Sequence, residues 1–587
     1  MAIVQISDAG QGINLDLPPE ELKAGVWSSA SNMRFVNGYA QRFDGISRIF
    51  DATSITPYYL TYYQKPGGRY WVHAGTGKVF SDDGTTRTEI TRIGTAAITS
   101  LTHVTTTATL TTTAPHGMST SDTIDVYGAS PNAYNGTFTI TVTGPSVFTY
   151  TMASDPGVNA TNVGHLLLDG AVALDFTGAR DDRWSGGVLG SVLVLNNGVD
   201  APQYWTGTNA LRTLPAWNAT HTAQVLVPFK SYLVALDITK GATRYPNMVK
   251  WSSAAVPGSL PVSWDETNVT IDAGEVDVAE TPDYLVDALQ LGDTLILYKQ
   301  RSAYVLRLIG QPYIFQVQKL PGDAGMLARG CAVATPLGHV VLTAGDVVLN
   351  NGSGMQSIAD GQVRRAIFSN FSTEHYKRAF VTSNPQKNEV LVCYPSADAT
   401  DCDIAMVWNW KTQTWGQRDI TGTHFGATGQ IDEVSISSWD SDDESWDLDT
   451  SSWSEDPYSP NESRLLLAQT ARIGAFDVSS SDDGVNALTG TLERTGMWID
   501  DSDVNKLLRS VIPRIDATKG AVVTVQAGAN DLPSEAMRWS GAVSFTVGQD
   551  LRAYTFAQGK YLGLRISCSA PWRMRSTGMD IIKTGAF

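Results

Sequence analysis

Short runs of apolar residues, broken by Gly, Asn and Asp, recur along most of the chain. This pattern is typical of β-strands separated by tight turns. Helical periodicity is confined to the segments 18–23, 362–369 and 503–510, which are predicted as short helices. The sequence therefore predicts an all-β protein.

One unit recurs, in which an apolar strand is followed by a tight turn and a second strand that often ends in Trp or Gly. With residues 97–167 set aside, the units are spaced by roughly 40–75 residues, which approximates the period of four-stranded propeller blades. The spacing alone leaves stacked β-sandwiches open as the alternative. The clearest examples begin at Tyr70, Ser191, Ser231, Asp293, Gly338, Glu389 and Arg464.

Hairpin turns are marked by Asn-Gly pairs at 197–198 and 351–352, because these residues accept the positive φ angles that tight hairpins require. Residues 339–352 read as consecutive blade strands with a Gly-Asp turn at 345–346. A lone blade cannot bury both of its faces. We therefore expect neighbouring blades to pack on each other.

Residues 97–167 differ from the rest because they are rich in Thr and alternate polar with apolar positions. This period of two, with turns at 115–117 and 133–136, predicts an inserted Ig-like β-sandwich outside the main body. His116 lies in the first of these turns and has no second ligand beside it in sequence. It is interpreted as a turn residue and not as a metal ligand.

These signals predict a β-propeller body with an inserted Ig-like β-sandwich and an additional C-terminal β-domain. The C-terminal part fits either a separate β-domain or the closing blade. The predicted divisions are 1–96 for the N-terminal segment and first propeller strands, 97–167 for the insertion, 168–485 for the propeller body with an acidic Trp-rich loop at 432–460, and 486–587 for the C-terminal part.

The chain carries 42 basic and 59 acidic residues, a net charge of −17, and it has no basic run. Nonspecific binding to duplex DNA depends on clustered Lys and Arg, so a surface that grips DNA is not expected. The acidic surplus fits either simple solubility or an acidic pore wall along which DNA slides. Charged residues make up only 17% of the chain, which is common in β-rich virion and secreted proteins.

The cysteines and histidines do not predict a zinc site. Cys331, Cys393, Cys402 and Cys568 form no CxxC pair, and the histidines show no paired spacing. We expect the thiols to be buried and reduced. The first residues lack the basic start and apolar core of a signal peptide. No apolar run approaches the ~18 residues of a membrane-spanning helix, so none is expected.

The most biased segment is 439–456, where Trp439, Trp446 and Trp453 are separated by carboxylates. Carboxylate oxygens are ligands that calcium prefers. However, Glu-Ser stands at 444–445, where an EF-hand needs its glycine turn. The segment is interpreted as an exposed acidic loop anchored by its Trp residues, with a calcium site as the alternative.

Enzymatic signatures are absent from the sequence. Ser-Asp-Asp-Gly at 81–84 and 481–484 approaches the Asp-box turn of sialidase-like glycosidases, but the spacing is wrong and no Trp follows. Glycoside hydrolysis needs two facing carboxylates, and no pair is singled out among 59 acidic residues. Trp251 and Trp264 are interpreted as a packing pair and not as a sugar platform. No catalytic, cofactor-binding or metal residue is predicted, and the chain is not expected to be an enzyme.

A set of residues near the start of the chain resembles the opening of a known family. These residues are Gly12, Ile13, Asn14, Leu15, Trp27, Asn32, Met33, Arg34, Phe35, Gly38, Arg42 and Gly45. The family comprises the tail nozzle proteins of short-tailed phages (podoviruses), also called tail tubular protein B, and the phage DNA-stabilisation proteins. The segments 248–253, 263–265, 293–306, 559–567 and 578–580 are similar to further stretches of these proteins.

The resemblance implies a structural virion protein that forms the nozzle or distal ring of a phage tail. Such a ring, of six copies, docks under the tail adaptor (head-to-tail) ring below the portal and carries tail fibres or a needle. It lines and closes the DNA exit channel, retains the packaged genome, and opens for ejection on host attachment. The DNA passes through without sequence-specific binding, and the protein is synthesised in the host bacterial cytoplasm.

A different class of function stays open at this stage. Propellers also serve as carbohydrate-binding or glycan-depolymerising proteins in host adsorption, and a capsule-degradation or glycan-array screen separates the two hypotheses. The choice between the nozzle and DNA-stabilisation branches is likewise open.

Overall fold

The computed structural model describes residues 2–6, 8–93, 96–168, 173–311, 313–431, 463–482 and 486–585. The chain divides into two compact units. One is Tyr58–Lys319, and the other combines Met1–Pro57 with Leu320–Phe587. Nearly all regular structure is antiparallel β-sheet, which confirms the predicted all-β class.

The N-terminal segment consists of short strands and one 3-10 turn at Pro19–Glu21, where a helix was predicted. Its hairpin between the third and fourth strands turns at Asn37 and Gly38, which have φ angles of +53° and +79°. Its strands are β1 Ala2–Ile6, β2 Ser29–Ser31, β3 Met33–Val36, β4 Tyr39–Arg42 and β5 Gly45–Arg48.

The unit Tyr58–Lys319 begins with a four-stranded sheet in which each strand pairs with the next. These strands are β6 Tyr59–Lys65, β7 Gly68–Ala74, β8 Val79–Asp82 and β9 Arg87–Glu89. This up-and-down meander is the arrangement of a propeller blade.

The insertion follows and forms a six-stranded antiparallel sheet of its own. Its strands are β10 Ile98–Val104, β11 Thr107–Thr112, β12 Thr123–Tyr127, β13 Gly136–Gly144, β14 Val147–Thr151 and β15 His165–Leu168. Strand β13 pairs with β12 along its first half and with β14 along its second, and side chains from both halves share one core. The predicted inserted β-sandwich is confirmed.

Three further sheets of the blade type complete this unit. They are β16 Ser185–Leu189, β17 Val192–Asn196, β18 Gln203–Trp205 and β19 Arg212–Thr213; β20 His221–Phe229, β21 Tyr232–Lys240, β22 Thr243–Trp251 and β23 Gly274–Asp277; and β24 Leu285–Leu291, β25 Thr294–Lys299, β26 Ala303–Leu308 and β27 Phe315–Lys319.

Strand β21 shows why these sheets pack side by side. Val234 and Leu236 join a core shared with β24–β27, whereas Leu233 and Ala235 join a core shared with β16–β18. Successive side chains of a strand point to opposite faces, so the β20–β23 blade buries both faces against its neighbours. The expected packing of neighbouring blades is confirmed within this unit.

The other unit resumes with one more blade, a helix and a strand array. These elements are β28 Ala332–Thr335, β29 Gly338–Leu342, β30 Val347–Asn350, β31 Met355–Ser357, α1 Arg364–Ser369, β32 Phe380–Asn384, β33 Glu389–Tyr394, β34 Cys402–Asn409 and β35 Thr414–Gly429, with 3-10 turns at Tyr376–Arg378 and Pro385–Lys387. The helix predicted at 362–369 and the blade predicted at 339–352 are confirmed.

The remaining strands belong to the same unit as the N-terminal segment and β28–β35. They are β36 Arg464–Gln469, β37 Arg472–Ser479, β38 Gly490–Met497, β39 Asn505–Ala517, β40 Val522–Asn530, β41 Arg538–Trp539, β42 Val543–Thr546, β43 Ala557–Gly559, β44 Tyr561–Cys568 and β45 Trp572–Gly585.

The helix predicted at 503–510 is wrong, because these residues open strand β39. Lys506, Leu508 and Ser510 are buried and the residues between them, Leu507 and Arg509, are not fully so, which is the period of two of a strand. Pairing with β43 and β45 on its two sides satisfies the backbone of β39 and overrides the local helical pattern.

The turn between β3 and β4 permits a test of backbone strain that is independent of crowding. A Cβ added to Gly38 would meet nothing nearer than 3.8 Å, yet the φ of +79° disfavours any L side chain. Gly38→Ala should lower the free energy of unfolding by about 1 kcal/mol, measured by urea denaturation. Gly345→Ala, in an open turn of ordinary φ, is the control and should change it by less than about 0.5 kcal/mol. Equal effects of the two substitutions would contradict the explanation.

Candidate functional site

The N-terminal strands pair with strands that lie hundreds of residues later in the chain. Strand β2 pairs with β38, β3 with β35, β4 with β45, and β5 with β37. We call β2–β5 and these partner strands the N-terminal seam. The seam therefore links the first and last parts of one unit through backbone hydrogen bonds between paired strands.

Arg34 of β3 lies at the centre of the seam and is 4% exposed. Its Nε atom is 3.2 Å from Oε1 of Glu389, and its Nη1 atom is 2.7 Å from Oδ2 of Asp477. The guanidinium also lies over the Phe43 ring, 4.2 Å from the centroid. Charges of opposite sign from β3, β33 and β37 therefore meet away from water.

The burial of these groups changes their proton affinities. Burial raises the pKa of Glu389 to about 7; Arg34 opposes this rise and Asp477 adds to it. Burial likewise raises the pKa of Asp44, whose backbone N–H donates to Asp477 Oδ1 over 2.8 Å. The pKa of Arg34 is raised, because its two carboxylates outweigh its own burial. Arg34 therefore stays positively charged, whereas the Glu389 carboxyl titrates near neutrality.

A second polar cluster lies beside the first. Asn32 Nδ2 donates to Asp419 Oδ2 over 3.0 Å, and Asn32 Oδ1 accepts from Arg418 Nη1 at the same distance. Arg418 Nη2 in turn donates to Asp482 Oδ1 over 2.8 Å. These groups line a polar cavity of about 470 Å³. The backbone N–H of Ile46 also donates to Asp482 Oδ1, so the cluster fixes β5 as well as β3.

Arg42 of β4 contacts the seam mainly through backbone carbonyls, and Asp44 Oδ1 lies 3.9 Å from its Nη2 atom. Its Nη1 and Nη2 atoms donate to the carbonyls of Leu488 and Ser480 over 2.9 and 2.8 Å. Burial lowers its pKa. Since buried donors without partners are costly, Arg42 is suited to holding backbone in place and is poorly suited to binding a ligand.

A further cavity in this unit has a volume of about 680 Å³ and a mixed lining. Trp498, 45% exposed, lies at its wall and donates from Nε1 to the Glu20 carbonyl over 3.0 Å. Arg494 donates to the carbonyls of Pro19 and Leu22, and burial lowers its pKa to about 10. These contacts attach the segment around the first 3-10 turn to β38.

The calcium alternative concerns 439–456, within the predicted loop 432–460, and lies outside the described residues. In the part of the chain that the structure describes, no group of three or more His, Cys, Asp or Glu side chains could hold a metal ion. In the same part, no helix has the length and apolarity needed to cross a bilayer.

The segment 81–84 has a structural role in its blade. Asp82 is 2.9 Å from Arg87 Nε and 3.1 Å from His73 Nδ1, and all three side chains are largely buried. Asp83 accepts from the backbone N–H groups of Thr85 and Thr86, which lowers its pKa. These contacts stabilise the β8–β9 turn.

The other residues considered from sequence also make packing contacts. His116 is buried, with Nε2 3.1 Å from the Gly144 carbonyl oxygen. Trp251 packs against Phe315, and Trp264 packs against Trp217, in two different cores of the same unit. All four cysteines are buried and free, as expected.

Sequence reasoning did not identify Glu389, Asp477 or Asp482 as members of a site. Glu389 is the first residue of an apolar strand, a position where a carboxylate is expected to face solvent, yet its side chain is 1% exposed. The available signal was Arg34, a lone charge inside the apolar run of β3. Such a charge indicates a buried partner but does not say where in the chain it lies.

Comparisons with known proteins do not assign the chain to a family. No family model matches it, and no curated protein matches it. Among solved structures, the computationally designed Ika8 protein is 10% identical, covers 74% of this chain and 100% of its own, and gives a TM-score of 0.31. Apo AztD from Citrobacter koseri is 11% identical over 56% of this chain and 96% of its own, with a TM-score of 0.24. The phage phi92 endosialidase is 12% identical over 52% and 64%, with a TM-score of 0.17. Alignments this weak carry no argument about function.

Proposed function

We propose that the chain is a structural subunit of a phage tail and not an enzyme. In this proposal it forms the nozzle or distal ring that lines and closes the DNA exit channel. The ring of six copies docks under the tail adaptor ring and carries fibres or a needle. It retains the packaged genome and opens for ejection when the phage attaches to its host.

The observation that carries the proposal is the position of the residues on which the family resemblance rests. Asn32, Arg34 and Arg42 are all seam residues with buried polar partners. A protein that withstands the pressure of packaged DNA needs its first and last strands tied together. The seam supplies such a tie through directional bonds that weaken steeply when their geometry is disturbed.

The charge balance supports the same proposal. A net charge of −17 suits a wall along which DNA slides, because the wall and the phosphates repel each other. That an acidic surface of this chain lines the channel is part of the proposal.

The proposal is tested by the assembly and location of the protein. Size-exclusion chromatography with light scattering should give the purified full chain the mass of an oligomer, and negative-stain images should show rings. An antibody against the chain should label the distal tail of intact virions. A strictly monomeric protein that is absent from virions would contradict the proposal.

The same preparation tests the rival function in host adsorption. The full chain should leave host capsule and surface glycans intact in a degradation assay. Saccharide cleavage that is abolished by a single Asp or Glu substitution would favour a glycan-depolymerising protein instead.

A further inference from the structure

Three turns of one unit enclose a small polar cavity of about 350 Å³, which we call the tip cavity. They are the β3–β4 turn, the turn between β32 and β33, and the turn between β34 and β35. The lining residues are Arg34, Val36, Asn37, Gln41, Gln386, Lys387, Asn388, Asn409, Lys411 and Thr412. No Asp or Glu belongs to this set.

The lining is cationic in a chain that is strongly acidic overall. It contains Lys387, Lys411 and Arg34. Within the described ranges, neither lysine ammonium has a carboxylate within ion-pair distance, although Lys387 is near enough to oppose part of the burial-induced rise in the pKa of Asp44 and Glu389. Both lysines are exposed. Their charge is therefore available to an anionic group from solution.

Arg34 adds a buried donor to the cavity lining. Its Nη2 atom is shielded from solvent and has no hydrogen-bond partner among the described residues. A buried donor without a partner costs free energy. Because this atom has almost no accessible surface, Arg34 contributes positive charge to the cavity and not a hydrogen bond to a ligand.

Amide side chains supply the rest of the polar lining. In the described structure no hydrogen bond joins the side chains of Asn37, Gln41 or Asn388 to other residues. Asn409 behaves differently: it donates to the Lys387 carbonyl over 3.0 Å and accepts from the backbone N–H groups of Lys411 and Thr412. Asn409 thereby fixes the two lysine-bearing turns relative to each other, so the cavity is formed before any ligand arrives.

We propose that the tip cavity binds an acidic saccharide residue. The carboxylate or sulfate of the sugar meets Lys387 and Lys411, and the sugar hydroxyls meet the amides of Asn37, Gln41 and Asn388, which can both donate and accept. The volume is at the small end of the ~300–1,000 Å³ range of ligand sites, which suits one or two sugar residues. The proposal goes beyond the tail function and does not rest on it.

A nucleic acid fits the cavity less well. Grooves for single strands combine a basic path along the backbone with aromatic side chains on which bases stack. No aromatic residue belongs to the lining, and its exposed cations are confined to two turns. DNA is therefore treated as a competing outcome of the test.

The test is calorimetric titration of the full chain with glucuronate, a sulfated disaccharide, glucose, inorganic sulfate and a short DNA duplex. The acidic saccharides should bind, and K387E/K411E should weaken their binding about tenfold or more, since two charge-assisted contacts become repulsive. K519E changes an exposed lysine of the same unit that lies outside the cavity and should leave binding unchanged. Circular dichroism and melting of each variant confirm folding, and K387Q/K411Q serves if the charge reversal misfolds.

Several results would overturn the inference. These are a lack of binding by the acidic saccharides, binding that survives both double variants, or equal affinity for glucose. Equal affinity for inorganic sulfate would show that the sugar hydroxyls contribute nothing. Tighter lysine-dependent binding of the duplex would assign the cavity to DNA.

Discussion

Replacing Arg34 by methionine should lower the free energy of unfolding of its unit by about 3–5 kcal/mol at pH 8. The substitution keeps an unbranched side chain of similar reach but removes the charge that faces Glu389 and Asp477. These carboxylates are 1% and 2% exposed, so water cannot take the place of the guanidinium. Urea denaturation followed by circular dichroism measures the loss.

The control for this substitution is Arg48→Ala in the neighbouring strand β5. Arg48 is 3.7 Å from Asp51, but the two side chains are 48% and 101% exposed. Exposed pairs of this kind contribute about 0–1 kcal/mol, so R48A should barely move the transition. If R34M and R48A cost the same, the buried cluster would not hold the seam together. Removing all three charges together, in R34M/E389L/D477N, should recover much of the loss because no buried charge then lacks a partner. Asparagine suits the φ of +66° at position 477 and can still accept the Asp44 backbone N–H.

The blades were predictable because their signals are local. The apolar runs of β21 and β29 and the turn residues that follow them lie within a few residues of each other in sequence. The inserted sandwich was predictable for the same reason, since Thr-rich alternation marks strands such as β11, β13 and β14. Local signals also explain the error at 503–510, where Lys506 carries a charge that usually indicates exposure. Its ammonium is instead buried and donates to the carbonyls of Val504 and Lys560 over 3.0 Å.

The seam was not predictable from sequence in the same way. Its pairings join residues such as Ser29 and Glu493, and nothing local to either strand specifies the partner. The cost of closing such a long loop must be offset by contacts that form only in the folded state. The resemblance drew attention to Asn32, Arg34 and Arg42 but gave no partners. Burial of Glu389 and Asp477 could be read only from the structure.

The stability of the seam should depend on pH through Glu389. Its pKa is about 7 in the folded protein against an ordinary value of 4.5. The folded state therefore binds more protons than the unfolded state between these values, and stability falls as pH rises through this window. The stabilisation that Glu389 gives through its raised pKa is fully lost above about pH 7. It amounts to about 3 kcal/mol of unfolding free energy.

Glu389→Gln isolates this contribution, because the amide resembles the protonated carboxyl and cannot ionise. The free energy of unfolding of E389Q minus that of the wild type should rise by about 3 kcal/mol between pH 4.5 and pH 8. The measurement is urea denaturation of both proteins across this range at constant ionic strength. The matched control is Glu374→Gln, an exposed glutamate of the same unit, for which the difference should stay constant. A flat difference for E389Q would mean that Arg34 keeps Glu389 ionised throughout, and the buried cluster would then carry two permanent negative charges around one cation.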